Sequence, residues 1–275
     1  MTLHIACDNC SKMLEETVVR HSYDKLAYEI PDAKAVLWRY MDFAKYVWLV
    51  QNRALYFASA KLFDDPFEGA RGIQENKPKW DAYYYDFFKK IIAHPPGGSP
   101  SILPPEQIEI DAKRLLDDFE NLTNYCRESY YINCWHENSH ESEAMWKLYS
   151  KDISNAIAIQ TTFENLYLAL DRNPDIDIGR VNYIDFNRSF SSSQNPFWFK
   201  RTSFAHEKEV RAIYVNHDER SIGMNFNIDL DRLIERIYIS PYSSKWIFTI
   251  IDDINKRYGL DKPILNSDLN AKPFY

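Results

Sequence analysis

The stretch AVLWRYMDFAKYVWLVQNRALYFAS, residues 35–59, decides the fold class. AVLWRYM (35–41) is a short, mostly apolar run, the pattern of a buried strand. Asp42 is an N-cap residue type. After it, Phe43, Tyr46, Val47 and Val50 of FAKYVWLVQNR (43–53) recur at helical spacing. ALYFAS (54–59) reads as a second strand. The first folded unit is therefore strand–helix–strand.

Working outward, KLFDDPFEGARG (61–72) is a turn-rich loop punctuated by Pro and Gly. WDAYYYDFFKKIIAH (80–94) is a strongly aromatic helix. HPPGGSPSILPPE (94–106) is a loop with five of the 13 prolines, and a second helix follows over about 106–125. Strands are expected within 128–137, at 155–160, and near 179–185, 209–215 and 236–240. Helices are expected at 142–152, 162–170 and 244–258. The sum is mixed α+β with a largely antiparallel sheet. It is organised as a lead-in (1–30, with a helix near 11–20) and one domain (31–275) that carries a helical insertion at about 76–127.

Composition narrows the function classes. The 275 residues include 42 aromatics (16 Phe, 19 Tyr, 7 Trp) and 45% hydrophobic residues, too much apolar surface for a disordered chain. There are only 7 glycines, and neither G-x-G-x-x-G nor G-x-x-x-x-G-K-[ST] occurs, which excludes glycine-loop nucleotide folds. A net charge of −7 argues against broad duplex binding. No signal-peptide pattern and no apolar run of membrane-spanning length is present, so a cytoplasmic protein with reduced thiols and no membrane partner is expected.

Five clusters carry candidate chemistry. In FAHEKEVRAIYV (204–215), Glu207 and Glu209 stand at i and i+2, which on a strand places both carboxylates on one face. Such a pair concentrates negative potential, or else it is a solvated strand edge. YINCWHENSHESEAMWKLY (131–149) offers Cys134, His136, Glu137 and His140 as metal ligands, or Cys134 and His136 as a nucleophile and base. Its plain reading is a loop with Ser142 capping a helix that buries Met145 and Trp146. CDNC (7–10) is a zinc half-site that His4 and His21 can complete, since Cys126 and Cys134 are poorly spaced for it. Asp64, Asp65 and Glu68 of FDDPFEG (63–69) form either an acidic site or ordinary turn chemistry. Arg39, inside the apolar LWRY run (37–40), needs a partner such as Glu207 or Glu209, or serves as an anion anchor.

Taken in order, LWRY, ALYFASAKLFDDPFEG, INCWHE with EAMWKLY, and FKRTSFAHEKEVR resemble the bacterial domain of unknown function 2971 family over roughly residues 35–215. One departure is Phe63-Asp64-Asp65-Pro66, where that family's pattern has Asn-Asp-Pro. The layout is also similar to ADP-ribosyltransferase-like folds. That resemblance implies NAD as substrate and assigns Glu209 as the catalytic carboxylate, Glu207 as its companion and Arg39 as the first-strand basic residue. It implies Arg39, Tyr40, Ser59, Trp146 and Tyr149 as the residues around the dinucleotide, with no metal. It further implies a toxin or phage-defence effector acting on a protein or nucleic acid, and leaves room for an antitoxin or chaperone partner. The correspondence requires Arg39 and Glu209 to face one cleft. The competing readings are a metal-dependent nuclease or hydrolase using Asp64, Asp65, Glu68, Glu207, Glu209 and His136, and a non-enzymatic partner-binding module of a defence operon.

Overall fold

The computed structural model describes residues 28–192 and 195–275. The strands are β1 (Val36–Asp42), β2 (Ala54–Ser59), β3 (Tyr130–Glu137), β4 (Ala156–Thr162), β5 (Ile176–Arg180), β6 (Asn182–Ile184), β7 (Phe199–Arg201), β8 (Glu209–Val215), β9 (Gly223–Asn227), β10 (Arg236–Ile239) and β11 (Ile264–Asn266). The helices are α1 (Phe43–Asn52), α2 (Lys77–Ala93), α3 (Pro105–Ser129), α4 (Glu143–Leu148), α5 (Phe163–Ala169), α6 (Leu230–Leu233) and α7 (Trp246–Arg257). The class is mixed α+β with a mostly antiparallel sheet, in the order β11-β10-β4-β1-β3-β2-β9, with β8 pairing β3 and β5.

The strand–helix–strand unit forms because both runs are apolar at alternate positions and the helix between them has an apolar face. Leu37 and Met41 of β1 bury against Tyr46, Leu49 and Val50 of α1, and Leu55 and Phe57 of β2 join the same core. Helices α5, α6 and α7 complete this cover, with Leu166, Leu233 and Ile251 fully buried. Asp42 does precede the helix, but its side chain makes no capping bond. Its Oδ1 instead accepts from the Lys151 amide at 2.8 Å, which ties the end of β1 to the loop after α4. Ser142 caps α4 by accepting from the Met145 amide.

The opposite sheet face carries two smaller cores. One gathers Trp38, Tyr40, Met145, Trp146 and Tyr238; the other gathers Tyr28, Ile132, Phe197, Trp198 and Ile213. Helices α2 and α3 pack together through Trp80, Tyr84, Phe88 and Phe119, with the Tyr84 and Phe119 rings 4.9 Å apart. The short strands β7, β9 and β11 were not expected from sequence. β9 and β11 lie at opposite ends of the strand order, where partial exposure weakens the apolar alternation that marks a strand.

What positions the site is a fork in the sheet. β8 pairs with β3 along its whole length, from Tyr130↔Val215 to His136↔Glu209. On β3's other edge, β1 pairs only at Leu37↔Glu137 and Trp38↔His136, while β2 pairs only at Ala58↔Ile132 and Ser59↔Tyr131. The middle of that edge, Asn133 to Trp135, has no strand beside it.

Candidate functional site

A cavity of about 650 Å³ occupies the fork. Aromatic side chains dominate its walls: Trp38 and Tyr40 from β1, Trp48 from α1, Tyr56 from β2, Trp135 from β3 and Tyr149 after α4. Its polar lining includes Arg39, Cys134, His136, Glu207 and Glu209.

Arg39 bridges the gap. Its Nη1 donates to the Cys134 carbonyl at 2.7 Å and to Asn133 Oδ1 at 3.0 Å, supplying the exposed edge of β3 with a donor that a neighbouring strand would otherwise provide. Asn133 Nδ2 in turn donates to the Tyr56 carbonyl of β2 at 2.8 Å. The expected carboxylate partner of Arg39 does not materialise: among the described residues no ion pair involves it. A half-buried guanidinium with hydrogen bonds but no counter-charge therefore lies at the cavity.

Strand alternation places Arg39 with Leu37 and Met41, on the face covered by α1, whereas Trp38, Tyr40, His136 and Glu209 belong to the other face. In a continuous sheet this would separate Arg39 from Glu209. Here the sheet is open between them, and both line one cavity.

The carboxylates meet by a route that alternation does not describe. Glu207 is not on a strand; it ends a 3₁₀ turn, Thr202–Glu207, and β8 starts at Glu209. Between them Lys208 adopts a left-handed backbone, φ 40° and ψ 53°. Its carbonyl accepts from the Glu137 amide at 2.9 Å, which pins the turn to the end of β3. The turn brings both carboxylates onto Lys200: Glu209 Oε2 accepts from its Nζ at 3.2 Å, and Glu207 Oε2 is a closer partner. Both are buried, so the pair is no solvated strand edge.

Arg211, fully buried, extends this network. Its Nε donates to Glu209 Oε1 at 2.9 Å, and its Nη2 donates to Glu68 Oε2 at 2.9 Å. The network so joined holds three carboxyl groups, Glu68, Glu207 and Glu209, and two cations, Lys200 and Arg211. Burial works to raise the Glu209 carboxyl, but Arg211 and Lys200 hold it down at about 2, so it is ionised at neutral pH. The same two carboxylates keep Lys200 protonated against the effect of burial.

The remaining candidates separate. The Cys134 thiol is pushed well above its ordinary range by burial and by Glu209, so it carries no thiolate for nucleophilic attack. Trp146 is fully buried and packs edge-on to Tyr40 at 4.9 Å, with its Nε1 donating to Glu141; it belongs to the core and not to the cavity wall. Met145 and Tyr149, its neighbours in the chain, line the cavity instead. Ser59 is also absent from the lining. Its Oγ donates to the Arg127 carbonyl at 3.2 Å, because the end of β2 is packed against α3.

The acidic loop divides in the same way. Asp64 is exposed, Asp65 accepts from the Phe67 amide and from Arg201, and only Glu68 reaches the buried network. His140 is exposed, and among the described residues no three His, Cys, Asp or Glu side chains gather as a metal site. The carboxylates of the nuclease reading are thus dispersed or ion-paired. His4, Cys7, Cys10, His21 and the lead-in helix lie outside the described residues. No helix among the described residues is long and apolar enough to cross a membrane.

Lys200, Arg211 and Asn133 are site residues that sequence reasoning did not single out. Arg211 had a visible signal, since it stands at i+2 from Glu209 and so on the same face of β8.

No protein-family model matches the chain, including any for the family that its four ordered motifs resemble, and no curated protein matches it. Among solved structures it is similar to DarT from Thermus sp. 2.9 in complex with NAD+, at 8% identity and a TM-score of 0.40, over 88% of this chain and 100% of that one. The same DarT in complex with ADP-ribosylated ssDNA aligns at 8% identity and 0.39, over 89% and 99%. The carba-NAD+ complex aligns at 9% and 0.38, over 86% and 96%. At that distance the likeness assigns nothing. The site stands on its own geometry: a forked sheet, an uncompensated guanidinium, and a carboxylate held ionised in an aromatic cavity.

Proposed function

We propose that this protein is an ADP-ribosyltransferase with NAD as the donor. The observation that carries the reading is the cavity in the fork, where Arg39 without a counter-charge and the ionised Glu209 line one aromatic-walled space. Cleavage of the bond between ribose and nicotinamide develops positive charge on the ribose. A carboxylate already ionised and fixed by Arg211 and Lys200 stabilises that charge without reorganising. Arg39 offers its remaining donors to the diphosphate, for which a guanidinium fork is well matched. Tyr40, Tyr56 and Tyr149 supply rings for stacking on the nicotinamide or adenine. The cavity volume falls within the usual range of about 300–1,000 Å³ for small-molecule sites. Because Arg39 enters from the α1 side and the carboxylates from the other, the dinucleotide threads the fork with its anionic part toward α1.

The acceptor is a macromolecule, protein or nucleic acid, modified inside the cell as a toxin or phage-defence effector would do, with an antitoxin or chaperone as its cognate partner. The test is to incubate the purified full chain with NAD, to follow nicotinamide release, and to look for ADP-ribosylated product in lysate. Glu209→Gln, checked by thermal melting, is the control. Absence of both nicotinamide release and modified product rejects the reading.

A further inference from the structure

Two buried polar side-chain atoms of the lining residues have no hydrogen-bond partner among the described residues: Trp135 Nε1, which only donates, and His136 Nε2. His136 is buried, with 6% of its surface exposed. Its Nδ1 lies 2.5 Å from the Glu207 carbonyl oxygen. A carbonyl only accepts, so Nδ1 carries the proton and Nε2 presents its lone pair. That Nε2 is buried and, among the described residues, has no hydrogen-bond partner. His136 lines the cavity and is the direct cross-strand neighbour of Glu209.

The two carboxylates nearby are both ion-paired. Glu209 is engaged by Arg211 and Lys200, and Glu207 by Lys200. A carboxylate paired to a buried ammonium gives up that contact when it takes a proton. A neutral imidazole with a free lone pair gives up nothing.

We propose that His136 is the general base of this site, its Nε2 taking the proton from the attacking nucleophile. The inference rests on the transferase reading and gives the proton-accepting role to His136 and not to Glu207, the companion carboxylate. The balance is simple. The nucleophile's O–H or N–H proton passes to Nε2, and its electron pair forms the new bond to the ribose carbon. The bond from that carbon to nicotinamide breaks, and its electrons leave on the neutral nicotinamide. The imidazolium then returns its proton to solvent.

The groups facing His136 fix the pH behaviour. Burial lowers its proton affinity, the Glu207 carbonyl raises it, Lys208 and His206 on the adjoining turn lower it, and Glu137 on β3 raises it; Tyr40 of β1 is the ring beside it. The net direction is downward, so the imidazole is neutral, and competent as a base, at pH 7.

The test uses the full chain and four readouts. Nitrogen NMR of the histidine ring in the wild type should show Nδ1 protonated and Nε2 bare. Nicotinamide release should rise with pH on an acid limb centred below the ordinary histidine range of about 6.5. His136→Asn keeps a donor for the Glu207 carbonyl and removes Nε2; it should bind NAD within about twofold of wild type by calorimetry. Its rate should fall about a hundredfold or more and lose the acid limb. Free imidazole should restore part of the rate to His136→Ala.

A proton on Nε2 overturns the proposal, and so does an undiminished rate in His136→Asn. Loss of NAD binding in a folded variant makes His136 a binding group and also overturns it. A wild-type chain that neither binds NAD nor releases nicotinamide removes the transferase reading, and this inference with it.

Discussion

Arg211 and Glu68, 143 residues apart, meet side by side with neither side chain exposed beyond 1%. Two parallel hydrogen bonds join the guanidinium to the carboxylate, while the guanidinium's Nε remains on Glu209. Removing one partner strands buried charge. Arg211→Met is expected to cost about 3–5 kcal/mol, because Glu68 and Glu209 both lose their main compensation. Glu68→Gln, which keeps the shape and an acceptor oxygen, is expected to cost less. Chemical denaturation of the two variants checks the order, and equal costs would show that Arg211 is not the hub.

Glu209 gives the fold an acid limit. Its carboxyl is held at about 2 in the folded chain against an ordinary 4.5. A depressed carboxyl contributes stability that is fully present above its unfolded value and is lost as pH falls through the folded one. The window is therefore about pH 4.5 down to about 2, and the contribution is on the order of 3 kcal/mol. Glu68 acts in the opposite sense, since burial pushes its carboxyl up, and it offsets part of this loss. Stability measured across the window should fall less steeply in Glu209→Gln than in the wild type.

Lys208 is exposed, and what holds the turn is its backbone and not its side chain. Lys208→Gly relieves the left-handed strain and adds unfolded-state freedom; the two effects, each about 1 kcal/mol, nearly cancel. A β-branched residue cannot hold φ 40° cheaply. Lys208→Val is expected to cost about 1–3 kcal/mol and to weaken nucleotide binding, because the turn that gathers Glu207 and Glu209 onto Lys200 is no longer held. Thermal melts and binding titrations on both variants decide the matter.

Trp146 and Tyr149 stand three residues apart and should respond oppositely. Trp146→Ala is expected to destabilise by about 3–5 kcal/mol, and Trp146→Phe to leave nucleotide affinity unchanged. Tyr149→Ala, on a 40% exposed side chain, should leave the melting temperature nearly unchanged and weaken binding about tenfold. The reverse pattern would put Trp146 back on the cavity wall.

How far the sequence was legible depended on the range of the interactions. The unit at 35–59 was readable because strand and helix periods are local, and the structure places its elements within a residue or two of those limits. The closeness of the Glu207 and Glu209 carboxylates was also readable, although for an inexact reason: strand alternation suggested a shared face, whereas a left-handed Lys208 brings them together on Lys200. Arg39 was legible as anomalous, yet its partners proved to be Asn133 and the Cys134 carbonyl, 94 and 95 residues away. The pairing of Arg211 with Glu68 was beyond reach for the same reason, since no local pattern encodes which strand edge is left open or what charge crosses it.

The opening in the sheet also bears on how such a site changes. Its cavity is bounded largely by strands and helices, and two pairings, Leu37↔Glu137 and Trp38↔His136, form the joint from which β1 and β3 diverge. Under the transferase reading, the splay at that joint bears directly on how wide a ligand the fork admits. A volume change at Leu37 or Trp38 is therefore expected to alter the width of the fork from beneath. In this architecture specificity and core packing are inherited together.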